Sequence, residues 1–327
     1  MKAMYAQKYG GPDVIEAREL PVPVPGPGEV LIKVSAAGVT AGDHRLRAAD
    51  FPGGFAVLGR VMFGLFKPRN PVLGGDVAGT IAKVGDGVSA FKTGDRVYGF
   101  SMTGAHAEYV KMKADGALVH LPQNLTFTEG AALPYGMLAA YSFLVRFGAV
   151  QRGEHVLILG GSGGVGVYAI QIAKMLGAKV TAVASQGNLD LMRGLGADEV
   201  LDYAKEHPLV GRRYDVILDT FGAIHWRRAR RALHPGGRFV PLNFAIWHIV
   251  PAALTRLGRK RWQVGVSGDR KADLLALEPA LVAGTLRPVI DQVYPFEDAR
   301  AAHAHVERRR RKGAVVLTLD RAAAQAA

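Results

Sequence analysis

Hydrophobic patterning changes character at about residue 121. Before it, apolar runs such as VLIKVSAAGV, DVAGTIAKVG, DRVYGF and HAEYVKM are short and cut by Gly and Pro, which predicts an irregular, mostly β region. The stacked prolines of PVPVPGPGEV, residues 21–30, forbid helix and read as an extended entry and a turn. Residues 51–70 are apolar and Gly-rich without a strict period, a loop carrying a short helix. After residue 121, apolar strands at 156–160, 179–184, 199–203, 215–220 and 238–243 are interleaved with helical stretches at 128–147, 164–176, 189–195 and near 226–233. Strands that are apolar throughout and separated by helices predict a parallel, doubly wound sheet covered on both faces. Past an ambiguous basic stretch, a helix over 272–283 and strands over 288–291 and 314–319 read as a return to the first region, and RAAAQAA, residues 321–327, as a disordered tail. The expected segments are 1–122, 123–264 and 265–327.

Composition narrows this only slightly. A chain of 327 residues suits two domains, and 49% hydrophobic with 21% charged residues is ordinary for a folded protein. The absence of Cys excludes disulfides and thiolate metal sites. No apolar stretch is long enough to span a bilayer and MKAMYAQKYGGPD carries no signal pattern, so a cytoplasmic location and no membrane partner are expected. The net charge of +13 is concentrated at 227–231, 256–261 and 308–312. Without interleaved aromatics or a nucleic-acid motif these runs read as solvated helix faces, and a nucleic-acid partner is disfavoured.

One motif carries chemistry. In VLILGGSGGVG, Gly161, Gly163 and Gly166 form G-x-G-x-x-G directly after an apolar strand and at the head of a helix. Such a loop lets a backbone turn tightly, approach a pyrophosphate and present N–H groups to it. The second strand ends in Ser185, with Asn188 beyond, where an NAD-specific site carries Asp or Glu. With no carboxylate to repel a 2′-phosphate, NADPH is the favoured cofactor.

These segments, together with PVLGGDVAGTIAKVGDGVSAFKTGDRVYGF, AALPYGMLAAYSFL, LGADEVLDY, YDVILDTFG, LHPGGRFV and KGAVVLTL in order, resemble the zinc-independent, zeta-crystallin-like quinone oxidoreductase branch of the medium-chain dehydrogenase/reductase superfamily. The resemblance implies a GroES-like, mostly β catalytic domain beside a Rossmann domain. It places Gly163, Gly164 and Val165 at the pyrophosphate, Ser185, Asn188 and Tyr203 near the adenosine phosphate, and Phe221, Leu242 and Asn243 along the ribose and nicotinamide. Lys312 corresponds to a late family lysine, with Lys-Gly here in place of Gly-Lys. Zinc-dependent relatives carry Cys where this chain has Thr40, and His-Glu where it has Gly75-Asp76, so no metal site is expected.

The implied activity is NADPH-dependent reduction of a quinone or α,β-unsaturated carbonyl. Hydride addition puts negative charge on the acceptor oxygen, which calls for a hydrogen-bond donor. Thr40 is the first candidate and Tyr135 the second; Thr40 reads equally well as a turn cap, and for Tyr135 a buried aromatic is the favoured reading. An enoyl-thioester reductase is the nearest alternative, marked by basic residues flanking the pocket; a crystallin-like or RNA-binding relative that keeps the cofactor fold is the other. The expected partner is a small conjugated carbonyl, and a homodimer is left open.

Overall fold

A computed structural model describes residues 1–308 and 310–320; the tail at 321–327 lies outside the described residues. The chain divides into two compact units, one of residues 1–51, 56–135 and 269–327 and one of 52–55 and 136–268.

The first unit is mostly β. An antiparallel hairpin pairs Lys2–Ala6 with Ile15–Glu19. A larger sheet runs in the order Ile290–Pro295, Ala314–Thr318, Glu29–Val39, Asp76–Val84, Arg96–Phe100 and Leu118–His120. Glu29–Val39 organises it. One edge of this strand pairs with Asp76–Val84, while the other pairs first with Tyr109–Lys113 and then with Ala314–Thr318. Register shifts near Leu31 and between Val34 and Ala36 bend it, as bulges do. The last strands of the chain therefore complete the sheet begun by Glu29–Val39. Within residues 51–70 a helix forms over Ala56–Phe63.

The second unit carries six strands, all parallel, in the order Glu199–Asp202, Lys179–Ala184, His155–Leu159, Tyr214–Asp219, Leu233–Pro241 and Arg261–Trp262. Counted along the chain this is 3-2-1-4-5-6, a Rossmann sheet. Val156, Leu157 and Ile158 are fully buried at its centre. The single helix expected over 128–147 is broken into Phe127–Ala132, Pro134–Tyr141 and a π-helical turn at Ser142–Phe147. Pro134 explains the break, since it lacks an N–H and suits a first helical position. Among the described residues no helix is long and apolar enough to cross a membrane.

Candidate active site

The loop after His155–Leu159 shows why each glycine is needed, with one shift from the motif. The left-handed residue is Gly160, φ +78°, and not Gly161, the first glycine of the pattern. At Gly161 a Cβ would press on Met192 Sδ and Ala182, so the constraint there is packing. At Gly166 a Cβ would strike the Gly160 carbonyl, which keeps the helix Gly166–Met175 close against the strand. Gly163 alone has open space, its nearest contact being the Gly160 oxygen at 3.5 Å. The N–H groups of Gly164 and Val165 donate to nothing among the described residues. An open cradle with free donors at the head of a helix fits a pyrophosphate. Gly136 packs so tightly on this loop that a Cβ would collide with the Gly164 carbonyl.

At the end of the next strand, Asn188 Nδ2 donates to Ser162 Oγ and Ser185 Oγ, each at 3.1 Å. The amide thus ties the glycine loop to the strand end and leaves both hydroxyl protons free to turn outward. Lys205 Nζ, bonded to Gln186 Oε1 at 2.9 Å, adds a cation beside the same turn. Asp190 points into solvent and pairs with Arg193, away from this turn. Tyr203 is 64% exposed, its N–H held by the Ala184 carbonyl. Phe221 is also exposed, and its ring lies over Gly160. The turn that presents it is built by Asp219, whose buried carboxylate accepts the N–H groups of Phe221, Gly222, Ala223 and Ile224. Leu242 and Asn243 follow the adjacent strand, with the Leu242 N–H on the Asp219 carbonyl.

In the first unit, Thr40 ends the strand Glu29–Val39 and caps the helix Ala41–Ala48. Its Oγ1 accepts from the N–H groups of Gly42 and Asp43 and donates to Asp43 Oδ2 at 2.7 Å. The Asp43 carboxylate returns a bond to the Thr40 N–H, which completes a capping box. Tyr135 lies against Gly42 and is half-buried. Its N–H donates to Asp76 Oδ1 at 2.9 Å. Burial pushes the Tyr135 phenol above its usual range, against the opposing pull of Arg45 and Arg311, so it is a neutral O–H donor. Burial, then the Asp43 charge, raise Asp76 well above the usual carboxylate range.

Arg311 is the unexpected member. It belongs to a basic run that reads as solvated, yet its Nη1 is buried without a hydrogen-bond partner among the described residues. Burial lowers its pKa while Tyr135, Asp43, Asp291 and Asp76 oppose that shift. Its neighbour Lys312 is exposed. His303 and His305 diverge as their spacing on a helix requires, His303 toward buried Arg47 and His305 toward Asp291 and the Tyr294 hydroxyl. Among the described residues no group of three or more His, Cys, Asp or Glu is gathered to hold a metal.

Residues 26–123 match the alcohol dehydrogenase GroES-like domain and residues 195–317 the family described as zinc-binding dehydrogenase. Human quinone oxidoreductase is 32% identical over 94% of both chains. This chain belongs to the quinone oxidoreductase branch of the medium-chain dehydrogenase/reductase superfamily. An NADPH-dependent alkenal/one oxidoreductase of Arabidopsis thaliana is 34% identical, covering 97% of this chain and 79% of the relative. The quinone oxidoreductase of Coxiella burnetii superposes with a TM-score of 0.85 at 27% identity, over 98% of this chain and 99% of the other. The branch member described here is accordingly an oxidoreductase of the NAD(P)-binding dehydrogenase type. Thr40, which the resemblance sets where zinc-dependent relatives carry Cys, is a helix cap here.

Proposed function

We propose that this protein reduces a quinone or α,β-unsaturated carbonyl with NADPH and without a metal. The observation that carries the cofactor choice is the Ser162–Asn188–Ser185 bridge with Lys205 beside it, a set of donors and a cation at the strand end. A 2′-phosphate gains there what a bare ribose hydroxyl does not. The N–H groups of Gly164 and Val165 would hold the pyrophosphate, and the Tyr203 and Phe221 rings would flank the nucleoside halves. When bound, the nicotinamide supplies the hydride.

The protein's own part is to stabilise the charge that appears on the acceptor oxygen. Tyr135 is the better donor, because its phenol stays protonated and the Thr40 proton is already committed to Asp43. Thr40 is the second candidate. The names of the human and Arabidopsis relatives support the substrate class. The thioester alternative called for basic clusters flanking the pocket. The densest basic cluster instead includes Arg213, Arg259 and Lys260, which precede their strands, whereas the glycine loop follows its strand. In a parallel sheet these are opposite edges, which weakens a coenzyme A reading. A turnover screen of quinones, alkenals and enoyl thioesters, each with NADPH and NADH, tests the proposal. Faster turnover of thioesters, or equal use of both cofactors, would overturn it.

A further inference from the structure

The strand Ala314–Thr318 pairs antiparallel with the end of Glu29–Val39, and Val315 stands opposite Val39. The residues just before Ala314 therefore run past Thr40 toward the start of the helix Ala41–Ala48. Arg311 lies in this approach. Its course is fixed from the other side too, because the Ala314 N–H donates to the Val289 carbonyl and a Cβ on Gly313, φ +85°, would strike that same oxygen.

The ionisable groups that act on the guanidinium are Tyr135, Asp43, Asp291 and Asp76, all of the same unit. The three acids are engaged elsewhere. Asp43 Oδ2 takes the N–H and the hydroxyl of Thr40, Asp76 Oδ1 takes the Tyr135 N–H, and Asp291 Oδ2 pairs with His305 Nε2 at 2.9 Å. Arg311 Nη1 is buried and donates to nothing among the described residues. The Tyr135 phenol, resting against Gly42, makes no hydrogen bond there either. A buried cation without a partner is costly, and a carboxylate is the acceptor that a planar guanidinium fits best. A neutral donor and a cationic donor at one site, both unfilled, suit a ligand with two kinds of oxygen, one of them anionic.

We propose that Arg311 selects acceptors that carry a carboxylate on the conjugated carbonyl, its guanidinium holding the carboxylate while Tyr135 meets the reacting oxygen. The proposal rests on the acceptor reading given above and narrows it to conjugated keto acids. Hydride from NADPH adds to the alkene carbon β to the ketone, the negative charge forms on the ketone oxygen, and the α-carbon takes a proton from solvent. The products are NADP⁺ and the saturated keto acid. A cofactor phosphate is the lesser fit for Arg311, because the donors assigned to the phosphates, from Ser162 to Lys205, belong to the second unit.

(E)-4-Oxopent-2-enoate and its methyl ester present the same conjugated ketone with and without the charge. The acid should be reduced with the higher kcat/KM, although the ester is the better electrophile. Arg311→Gln should lower the acid-over-ester ratio about tenfold to a hundredfold, the worth of one charge-assisted hydrogen bond, and Arg311→Lys should lower it less. Isothermal titration of the saturated acid, 4-oxopentanoate, into the protein with NADP⁺ bound should show the same loss in Arg311→Gln, and melting curves should show both variants folded. An ester preferred by the parent, or a ratio and a 4-oxopentanoate affinity that Arg311→Gln leaves unchanged, overturns the proposal. So does a loss of NADPH affinity in Arg311→Gln with the ratio preserved, which would give the guanidinium to a cofactor phosphate. If no quinone, ester or acid is reduced at all, the proposed reaction fails, and the titration by itself decides the carboxylate site.

Discussion

Replacing Thr40 and Tyr135 one at a time separates the cap from the proton donor. Thr40→Val removes a hydroxyl that accepts two backbone N–H groups and donates to buried Asp43. Loss of a helix N-cap costs about 1 kcal/mol, and a weakened buried carboxylate adds about 1 kcal/mol more. At about 2–4 °C per kcal/mol for a unit of this size, the melting temperature should fall by about 4–8 °C. Thr40→Ser keeps every bond and should restore it. Tyr135→Phe removes one phenol oxygen and leaves the Asp76–Tyr135 backbone bond in place. It should leave stability within about 1 kcal/mol but lower kcat by about tenfold to a hundredfold, the worth of one hydrogen bond that strengthens as charge develops. NADPH affinity should not change in either variant. Because burial raises the Tyr135 phenol, the donor keeps its proton up to and beyond the usual tyrosine range, and no alkaline loss of kcat assigned to Tyr135 should appear below pH 10. Steady-state kinetics with a good acceptor, paired with thermal melts, decide the matter. Unchanged kcat in folded Tyr135→Phe, or loss of kcat in Thr40→Val at full stability, would refute the assignment.

Ser185→Asp should invert the cofactor preference from NADPH to NADH by repelling the 2′-phosphate; isothermal titration with both cofactors checks it, and an unchanged order counts against the Ser162–Asn188–Ser185 site. Gly136→Ala should weaken cofactor binding by at least about tenfold, because the new methyl must displace the Gly164 carbonyl; an unaltered dissociation constant would show that the loop yields without harm. Burial, then His106 and Arg47, hold His303 well below the usual histidine range, and burial lowers His106 as well, against the opposing pull of Asp43. The unfolded chain then binds protons that the folded one rejects, so stability is full above pH 6.5 and falls below it, by about 1.4 kcal/mol per pH unit for each histidine until its folded pKa is passed. Urea midpoints at pH 7.5 and 5.5 should show that loss, and His303→Gln should shrink it. Extensive chelation should leave turnover intact; a stoichiometric zinc that departs together with activity is the contrary result.

The parallel sheet was legible because its strands are apolar without interruption, and the glycine loop because strand, turn and helix head are contiguous in sequence. What was not legible depends on contacts between distant residues. Gly160 rather than Gly161 takes the positive φ, and the Phe221 ring and Thr220 hydroxyl, some sixty residues away, fill the place a side chain there would need. Ser162 sits inside the motif but is singled out only by Asn188 reaching back to it. Asp219 had a local signal, an acid at the end of an apolar strand ahead of Phe221-Gly222, of the kind that folds a turn onto its own carboxylate. Arg311 had none: among 308–312 every position is Arg or Lys, and only the fold turns one guanidinium toward Tyr135 and Asp76. The basic runs at 227–231 and 256–261 each look like a solvated face. They become a groove because the strands Leu233–Pro241 and Arg261–Trp262 are neighbours.

The long strand Glu29–Val39 draws its partner at Val39 from Val315, about 275 residues later. On a ribosome adding about 5–20 residues per second, that partner arrives on the order of 15–55 s after the strand itself. All of residues 136–268 are made in the interval, so the second unit has its full sequence long before the first. Tyr109–Lys113 covers the Glu29–Lys33 part of that edge early, but the Ala36–Val39 part stays open until Ala314–Thr318 is made, with bare backbone donors and acceptors. Nascent chains of this protein therefore have their greatest need of a chaperone at the Ala36–Val39 end of this strand, and loss of Ala314–Thr318 should damage the sheet around Glu29–Val39 first.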